Sequence, residues 1–158
     1  MKIEKRKVSE SRVETIHIVR PSHLNPGGRL FGGTLMQWID EVGGLVAKRH
    51  ARSNVITVSL DNLHFIAGAY MKDVIVITGK MTYVGNTSME IKVESYTENL
   101  EGERKLVNRA FVTFVALDEE DKPRKVPELI LETEEDRLDW ECGVRHRQLR
   151  QEREREGV

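Results

Sequence analysis

One apolar segment between residues 31 and 47 restricts the fold most, because it is apolar nearly all round and yet contains a carboxylate. This pattern predicts a helix buried in the core of the protein. At helical spacing, the residues on the same stripe as Asp40 are Gly33, Met36, Gly43, Gly44 and Ala47. A buried carboxylate usually has partners or a chemical role. Each glycine weakens a helix by roughly 1 kcal/mol relative to alanine, so several together indicate close approach of another backbone or a ligand. We therefore expect a functional site at Asp40.

The remainder of the chain predicts strands that enclose this helix. Residues 11–20 alternate loosely, and four later runs with strand character cover residues 55–66, 73–84, 88–97 and 105–118. The alternation changes phase at Asp61-Asn62, which indicates a bulge, and Gly85-Asn86 is typical of a hairpin turn. The last run is apolar on both faces and should lie inside the sheet. We predict an α+β fold, with an antiparallel five-stranded sheet wrapped around a long central helix. Its edge strands favour pairing with a second subunit.

The segment after Pro127 predicts a peripheral C-terminal helix. Thr133 is followed by three acidic residues, which is typical of a helix N-terminus, and the far end is rich in arginine. Leu138, Cys142 and Leu149 form only a thin apolar stripe, so light packing is expected. These boundaries divide the chain into an N-terminal extension (1–10), a main domain (11–122) and a C-terminal extension with the helix (123–158).

The composition is that of a globular domain and narrows the choice of partners. The chain has 158 residues, 39% hydrophobic and 32% charged, and its net charge of −1 gives no indication of nucleic-acid binding. A single cysteine fits a reducing compartment. We expect a cytoplasmic protein, because no apolar run is long enough for a membrane span and no secretory signal begins the chain. His17, His64 and His146 lack ligand spacing, so no metal site is expected.

The segment 25–36, continuing through 40–44, resembles the hotdog-fold acyl-CoA thioesterases, and within them the cytosolic acyl-CoA hydrolase branch. Supporting segments lie at 48–52, 55–58, 86–91 and 127–134. The resemblance implies the hotdog fold and hydrolysis of acyl-CoA to free CoA and a carboxylic (fatty) acid, with no cofactor because the CoA thioester is the substrate. It also implies a homodimer as the minimum unit and a trimer of dimers as the assembly. Neither nucleic acid nor membrane is expected as a partner, because of the net charge and the short apolar runs.

The same resemblance implies two catalytic residues. Asp40 matches a carboxylate that acts as nucleophile or as general base toward water, and Asn25 matches an asparagine that positions water or the thioester from across the dimer interface. Both roles suit thioester hydrolysis, which needs an activated oxygen. The oxyanion would be bound by free backbone N–H groups at the helix N-terminus, from Gly32, Gly33 and Thr34.

Backbone N–H groups and hydroxyls at the predicted hairpin suit phosphate or pantetheine, and the resemblance implies that this hairpin lines the CoA groove with Thr57 nearby. The candidate residues are Thr57, Gly85, Asn86, Thr87 and Ser88. A basic cluster at Lys48, Arg49 and Arg52 is a further candidate for the nucleotide phosphates, although such a cluster is more often a solvated helix end.

The chain departs from many members of that family at two positions. Gly27 stands where many have a second asparagine, and Phe31 where many have histidine, which leaves substrate preference open. One alternative function is a non-catalytic acyl-CoA-binding regulator on the same fold. Such regulators usually add a DNA-binding segment, and only about ten residues precede the first predicted strand. A hotdog dehydratase would need a histidine with the acid, and the Asp40 stripe has none. The sequence leaves open the preferred acyl chain length and whether nucleotides regulate the activity. It also leaves open whether Asp40 attacks the carbonyl or activates water.

Overall fold

The computed structural model, which describes residues 3–157, forms an antiparallel five-stranded sheet around one long helix. The predicted fold is confirmed. The helices are α1 (Gly32–Ala51) and α2 (Glu134–Glu156). The strands of the main sheet are β2 (Val13–Ile18), β3 (Asn54–Phe65), β4 (Val74–Val84), β5 (Ser88–Glu98) and β6 (Arg104–Leu117). Two short strands, β1 (Lys5–Lys7) and β7 (Glu128–Ile130), pair in parallel outside it. Residues 1, 2 and 158 of the two predicted extensions lie outside the described part.

The sheet order is β2-β4-β5-β6-β3, which leaves β2 and β3 at the edges. Strand β6 lies between β5 and β3, as its two apolar faces predict. The predicted phase change in β3 is confirmed, because the register with β6 shifts between Asp61 and His64 and Asn62 has a φ of 55°. A second shift lies between Thr57 and Ser59. These irregularities bend the edge strand that passes beside Asp40.

Only one side of α1 is buried against the sheet. The helix begins after Phe31, ends at Arg52 in the left-handed conformation (φ 55°), and has basic residues in its last turn. Its buried side chains include Leu35, Trp38, Ile39, Val42 and Val46. The opposite side is exposed in the single chain and includes Met36 (40%) and Leu45 (48%). The prediction that this helix is buried all round is therefore wrong for one subunit, and Asp40 itself lies on the exposed side.

The two central glycines of α1 have different surroundings. A Cβ at Gly43 would lie 3.0 Å from the Phe114 ring of β6, so this glycine permits close packing of helix on sheet. Gly44 is less buried and lines the cleft beside Asp40. Only part of the predicted glycine stripe therefore faces a cleft.

Helix α2 binds the outer face of the sheet through charged and aromatic side chains. The predicted N-cap is confirmed, because Thr133 Oγ1 accepts a hydrogen bond from Asp136 N at 3.1 Å. The predicted apolar stripe does not make the contact, since Leu138 is 53% and Leu149 52% exposed. The docking side instead consists of ion pairs, a hydrogen bond and an aromatic contact: Lys80–Asp136 (2.9 Å), Lys92–Asp139 (3.0 Å), His146 Nδ1 to Glu90 Oε2 (2.9 Å) and Tyr83–Trp140 (4.6 Å between ring centroids).

Candidate active site

Asp40 is held by a hydroxyl from the edge strand. Thr57 Oγ1 donates to Asp40 Oδ1 at 2.7 Å, and both residues are exposed in the single chain. The carboxylate lines a cleft of about 440 Å³ whose other walls include Gly44, Lys48 and Phe114. Because Thr57 donates to only one carboxylate oxygen, the other remains available for a proton or an electrophile.

Asn25 lies in the loop before α1, and its side chain stabilises that loop. Its Oδ1 accepts from Arg29 N at 3.1 Å, while Gly28 N donates to Asn25 O at 3.0 Å and Asn25 N donates to Arg29 O at 2.8 Å. With Oδ1 used in this way, the amide Nδ2 is the free donor of the side chain. Asn25 lines a cavity of about 410 Å³ with mainly apolar walls, among them Leu30, Leu35 and Phe65.

Asn25 and Asp40 line different clefts of the same chain. Large apolar side chains in or next to α1 and β3 are 40–59% exposed: Phe31, Met36, Leu45, Ile56, Val58, Phe65 and Ile66. An exposed apolar surface of this kind beside an unpaired edge strand is typical of a subunit interface.

The first turn of α1 offers free backbone donors. Phe31 is the N-cap and its side chain makes no capping hydrogen bond, so the N–H groups of Gly32, Gly33 and Thr34 have no partner within the helix. Gly32 also lines the cavity beside Asn25. Of the three predicted oxyanion residues, Gly32 therefore lies in the same cavity as Asn25 in the single chain.

The structure divides the residues predicted for CoA binding into two groups. Gly85, Asn86 and Thr87 connect β4 to β5, with Gly85 N donating to Ser88 O at 2.9 Å, which confirms the hairpin. Thr57 lies two strands away and contacts Asp40. Of the basic cluster, Lys48 lines the Asp40 cleft, whereas Arg49 donates to Arg12 O.

The histidines have structural surroundings. His17 stacks on Trp38 with ring centroids 4.2 Å apart, and burial lowers its pKa. His50 is fully buried and its Nε2 lies 2.8 Å from Pro127 O; burial lowers the pKa of this ring too. Within residues 3–157, no group of three or more histidine, cysteine or acidic side chains could hold a metal ion. No helix in that range is long and apolar enough to cross a membrane.

Sequence reasoning missed the contact between Thr57 and Asp40. The two residues lie on different elements, and their contact depends on how the edge strand lies beside α1. The alternation of β3 shows which residues share a face, but it does not show the register of the strand against a helix.

Comparison with known proteins points to one family. The thioesterase superfamily model matches residues 27–102. An uncharacterized acyl-CoA thioester hydrolase of Bacillus subtilis is 38% identical, over 96% of this chain and 89% of that protein. The mouse cytosolic acyl coenzyme A thioester hydrolase is also 38% identical, but this chain spans only 40% of its length.

Solved structures give the same result. A hexameric acyl-CoA thioesterase has a TM-score of 0.91 at 37% identity, covering 96% of this chain and 97% of that one. An acyl-CoA hydrolase of Staphylococcus aureus, solved with butyryl coenzyme A and coenzyme A, has a TM-score of 0.92 at 30% identity. The match covers 97% of this chain and 94% of that one.

The Staphylococcus aureus hydrolase has also been solved as three single alanine variants, at an asparagine, an aspartate and a threonine. There the aspartate follows the asparagine by 15 residues and the threonine follows the aspartate by 17. Asn25, Asp40 and Thr57 have the same two spacings.

Proposed function

This chain belongs to the thioesterase superfamily, among its acyl-CoA thioester hydrolases, and on that premise we propose that it hydrolyses acyl-CoA through Asp40, Thr57 and Asn25. The products are free CoA and a carboxylic acid. The observation on which the proposal rests is the 2.7 Å hydrogen bond from Thr57 to Asp40, which orients a carboxylate into an open cleft.

The proposed chemistry is attack of a water molecule activated by Asp40. With Oδ1 accepting from Thr57, Oδ2 takes a proton from water as the water oxygen bonds to the thioester carbonyl carbon. The tetrahedral intermediate then expels the CoA thiolate, and the proton held by Asp40 returns to the sulfur. Direct attack by Oδ2, with later hydrolysis of the resulting anhydride, uses the same orientation.

The proposed oxyanion site lies on the Asn25 side. The free Nδ2 donor of Asn25 and the N–H groups of Gly32, Gly33 and Thr34 lie at the positive end of α1. Removal of one such donor typically costs about 100- to 1000-fold in rate. Since Asp40 lines a different cleft from Asn25, a complete site requires Asn25 of one subunit and Asp40 of another.

The occupant proposed for the exposed face of α1 and β3 is a second copy of this chain. That face is apolar and includes the unpaired edge of β3, which suits antiparallel pairing with its own copy. A hexamer is proposed as the full assembly, because the thioesterase with 37% identity is hexameric.

Further parts of the proposal rest on the relatives and on local chemistry. CoA contacts the hairpin Gly85, Asn86, Thr87 and Ser88, and the reaction needs no cofactor beyond the substrate. A cytosolic location is proposed from the mouse relative. The main domain at 11–122, flanked by extensions, stays a prediction.

The test is release of free thiol from acyl-CoA substrates of increasing chain length, by wild type and Asp40→Ala. Wild type should turn over at least one chain length, and Asp40→Ala should lose that activity while it keeps its fold and assembly. Normal turnover by the folded variant would overturn the role of Asp40. Binding of acyl-CoA by the wild type without thiol release would favour the regulator.

Mixing two inactive variants tests the shared site. A dimer of one Asp40→Ala chain and one Asn25→Ala chain has one site with both residues intact, so random mixing should restore about one quarter of wild-type activity. If both residues of a site come from one chain, each mixed dimer has two defective sites and mixing restores nothing.

A further inference from the structure

Three cations near the β4–β5 hairpin form no ion pair with a carboxylate among residues 3–157: Arg124, Lys125 and Arg147. In the same helix as Arg147, Arg137, Arg150 and Arg153 each form an ion pair with a carboxylate. Arg147 forms none with any acid among residues 3–157, although its side chain is partly buried. A partly buried guanidinium without a counter-ion is costly, which indicates that an anion belongs there.

The position of Arg147 is set by the way α2 binds the sheet. Trp140 packs on Tyr83, and Arg147 follows Trp140 by seven residues on the same face of the helix, so Arg147 also faces β4. Arg147 Nη1 lies 3.2 Å from Tyr83 Oη and donates to it. Arg147 Nη1 and Ser88 Oγ each lie 2.6 Å from the point where a Cβ at position 85 would be. Two donors therefore meet in the space that a side chain at position 85 would fill, and glycine at this position makes room for both.

The other two cations are placed by the segment after β6. Val126 N donates to Asn86 O at 2.9 Å, and Ala116 N donates to Thr87 O at 3.0 Å, which fixes that segment along the hairpin. Arg124 and Lys125 immediately precede Val126 and are exposed. The backbone of this segment therefore runs beside the hairpin, while Arg124 and Lys125 line a separate cavity with Glu4 and Glu128. Arg147 is the cation whose guanidinium lies at the hairpin itself.

The hairpin is within reach of the Asp40 cleft. Thr57 pairs with Phe114, and Phe114 pairs with Met89, the residue after Ser88. Two strand spacings separate Thr57 from Met89, on the order of 10 Å. The pantetheine arm of CoA is long enough to join a thioester at Asp40 to phosphates at the hairpin.

We propose that Arg147 binds a phosphate at the nucleotide end of coenzyme A. The inference rests on the proposed function, since it assumes a CoA thioester as substrate. Arginine suits the role because its planar guanidinium makes paired hydrogen bonds to phosphate oxygens. Helix α2 then contributes to substrate binding in addition to covering the sheet.

The test compares two thioesters that differ only at the nucleotide end: an acyl-CoA, and the corresponding acyl-pantetheine, which lacks the nucleotide and its phosphates. In wild type, kcat/KM should be higher for acyl-CoA. Arg147→Ala should lower kcat/KM for acyl-CoA about tenfold, through KM, as expected for loss of one charge-assisted contact. With acyl-pantetheine, the variant and wild type should agree within about twofold, because that substrate has no phosphate to contact.

Arg145→Ala is the matched control, since Arg145 is an exposed arginine of the same helix whose contact is with Cys142. It should leave the ratio between the two substrates unchanged. Equal losses on both substrates in Arg147→Ala would mean that Arg147 only supports the fold, and no loss on either would exclude a binding role. Absence of hydrolysis of both substrates by wild type would instead refute the proposed function.

Discussion

Replacing Thr57 with valine tests whether the hydrogen bond to Asp40 contributes to catalysis. Valine has nearly the shape of threonine and lacks the hydroxyl, so Thr57→Val removes the 2.7 Å donor to Asp40 Oδ1 and little else. Hydrogen bonds to charged groups contribute about 1.5–3 kcal/mol. If that amount is lost from orientation of the carboxylate in the transition state, kcat should fall about 10- to 100-fold.

The assay is thiol release at saturating acyl-CoA, with KM measured in parallel. Because Thr57 contacts the carboxylate and not the nucleotide end of the substrate, KM should change by less than about twofold. Thr57→Ser keeps the hydroxyl and should recover most of the lost rate. Size-exclusion chromatography must show the same assembly for all three proteins. A kcat of Thr57→Val within about twofold of wild type would refute the reasoning.

Three further predictions concern stability and assembly. His146→Ala removes the partner at 2.9 Å from Glu90 Oε2, while Thr82 still donates to Glu90 Oε1 at 2.8 Å, and should lower the free energy of unfolding by about 1.5–3 kcal/mol in urea titrations. Leu149→Ala, on the exposed side of α2, should change it by less than about 0.5 kcal/mol. Equal effects would contradict the docking of α2 through His146. Burial lowers the pKa of His50, so below the usual value of 6.5 the unfolded chain binds a proton that the folded chain does not. The free energy of unfolding should therefore fall as pH decreases from 6.5, and it should fall less steeply in His50→Gln. An identical pH dependence in the two proteins would exclude this cause. Ile56→Asp places a charge on the exposed face of β3, where Ile56 is 52% exposed. The variant should sediment as smaller species and lose activity. An unchanged assembly would show that this face is not the interface.

The alternation and spacing of apolar residues were sufficient to predict the helices and strands and to identify Asp40 as the candidate acid. The bulge at Asp61–Asn62, the hairpin at Gly85 and the interior position of β6 follow from local patterns, because strand periodicity and turn chemistry depend on near neighbours. The N-terminus of α2 follows from Thr133 and the acids after it for the same reason.

The surface of the single subunit could not be predicted in this way. The apolar pattern of α1 does not distinguish residues covered by the sheet from residues covered by another chain, so Asp40 was expected to be buried and is exposed. Helix α2 is predicted to pack lightly through an apolar stripe, but it docks through charged and aromatic side chains on another face. Polar side chains contact a sheet when buried partners of opposite charge face them, and those partners come from distant strands.

The sequence by itself determined the helix, the strands, the acid at Asp40 and the family. The tertiary structure alone decided that Thr57 donates to Asp40, that Asn25 and Asp40 line separate clefts, and that Arg147 reaches Gly85. Periodicity is a property of neighbouring residues, whereas these contacts join residues 17 to 62 positions apart through sheet register and helix docking. Asp40 therefore follows from the local pattern, and its partners follow only from the fold.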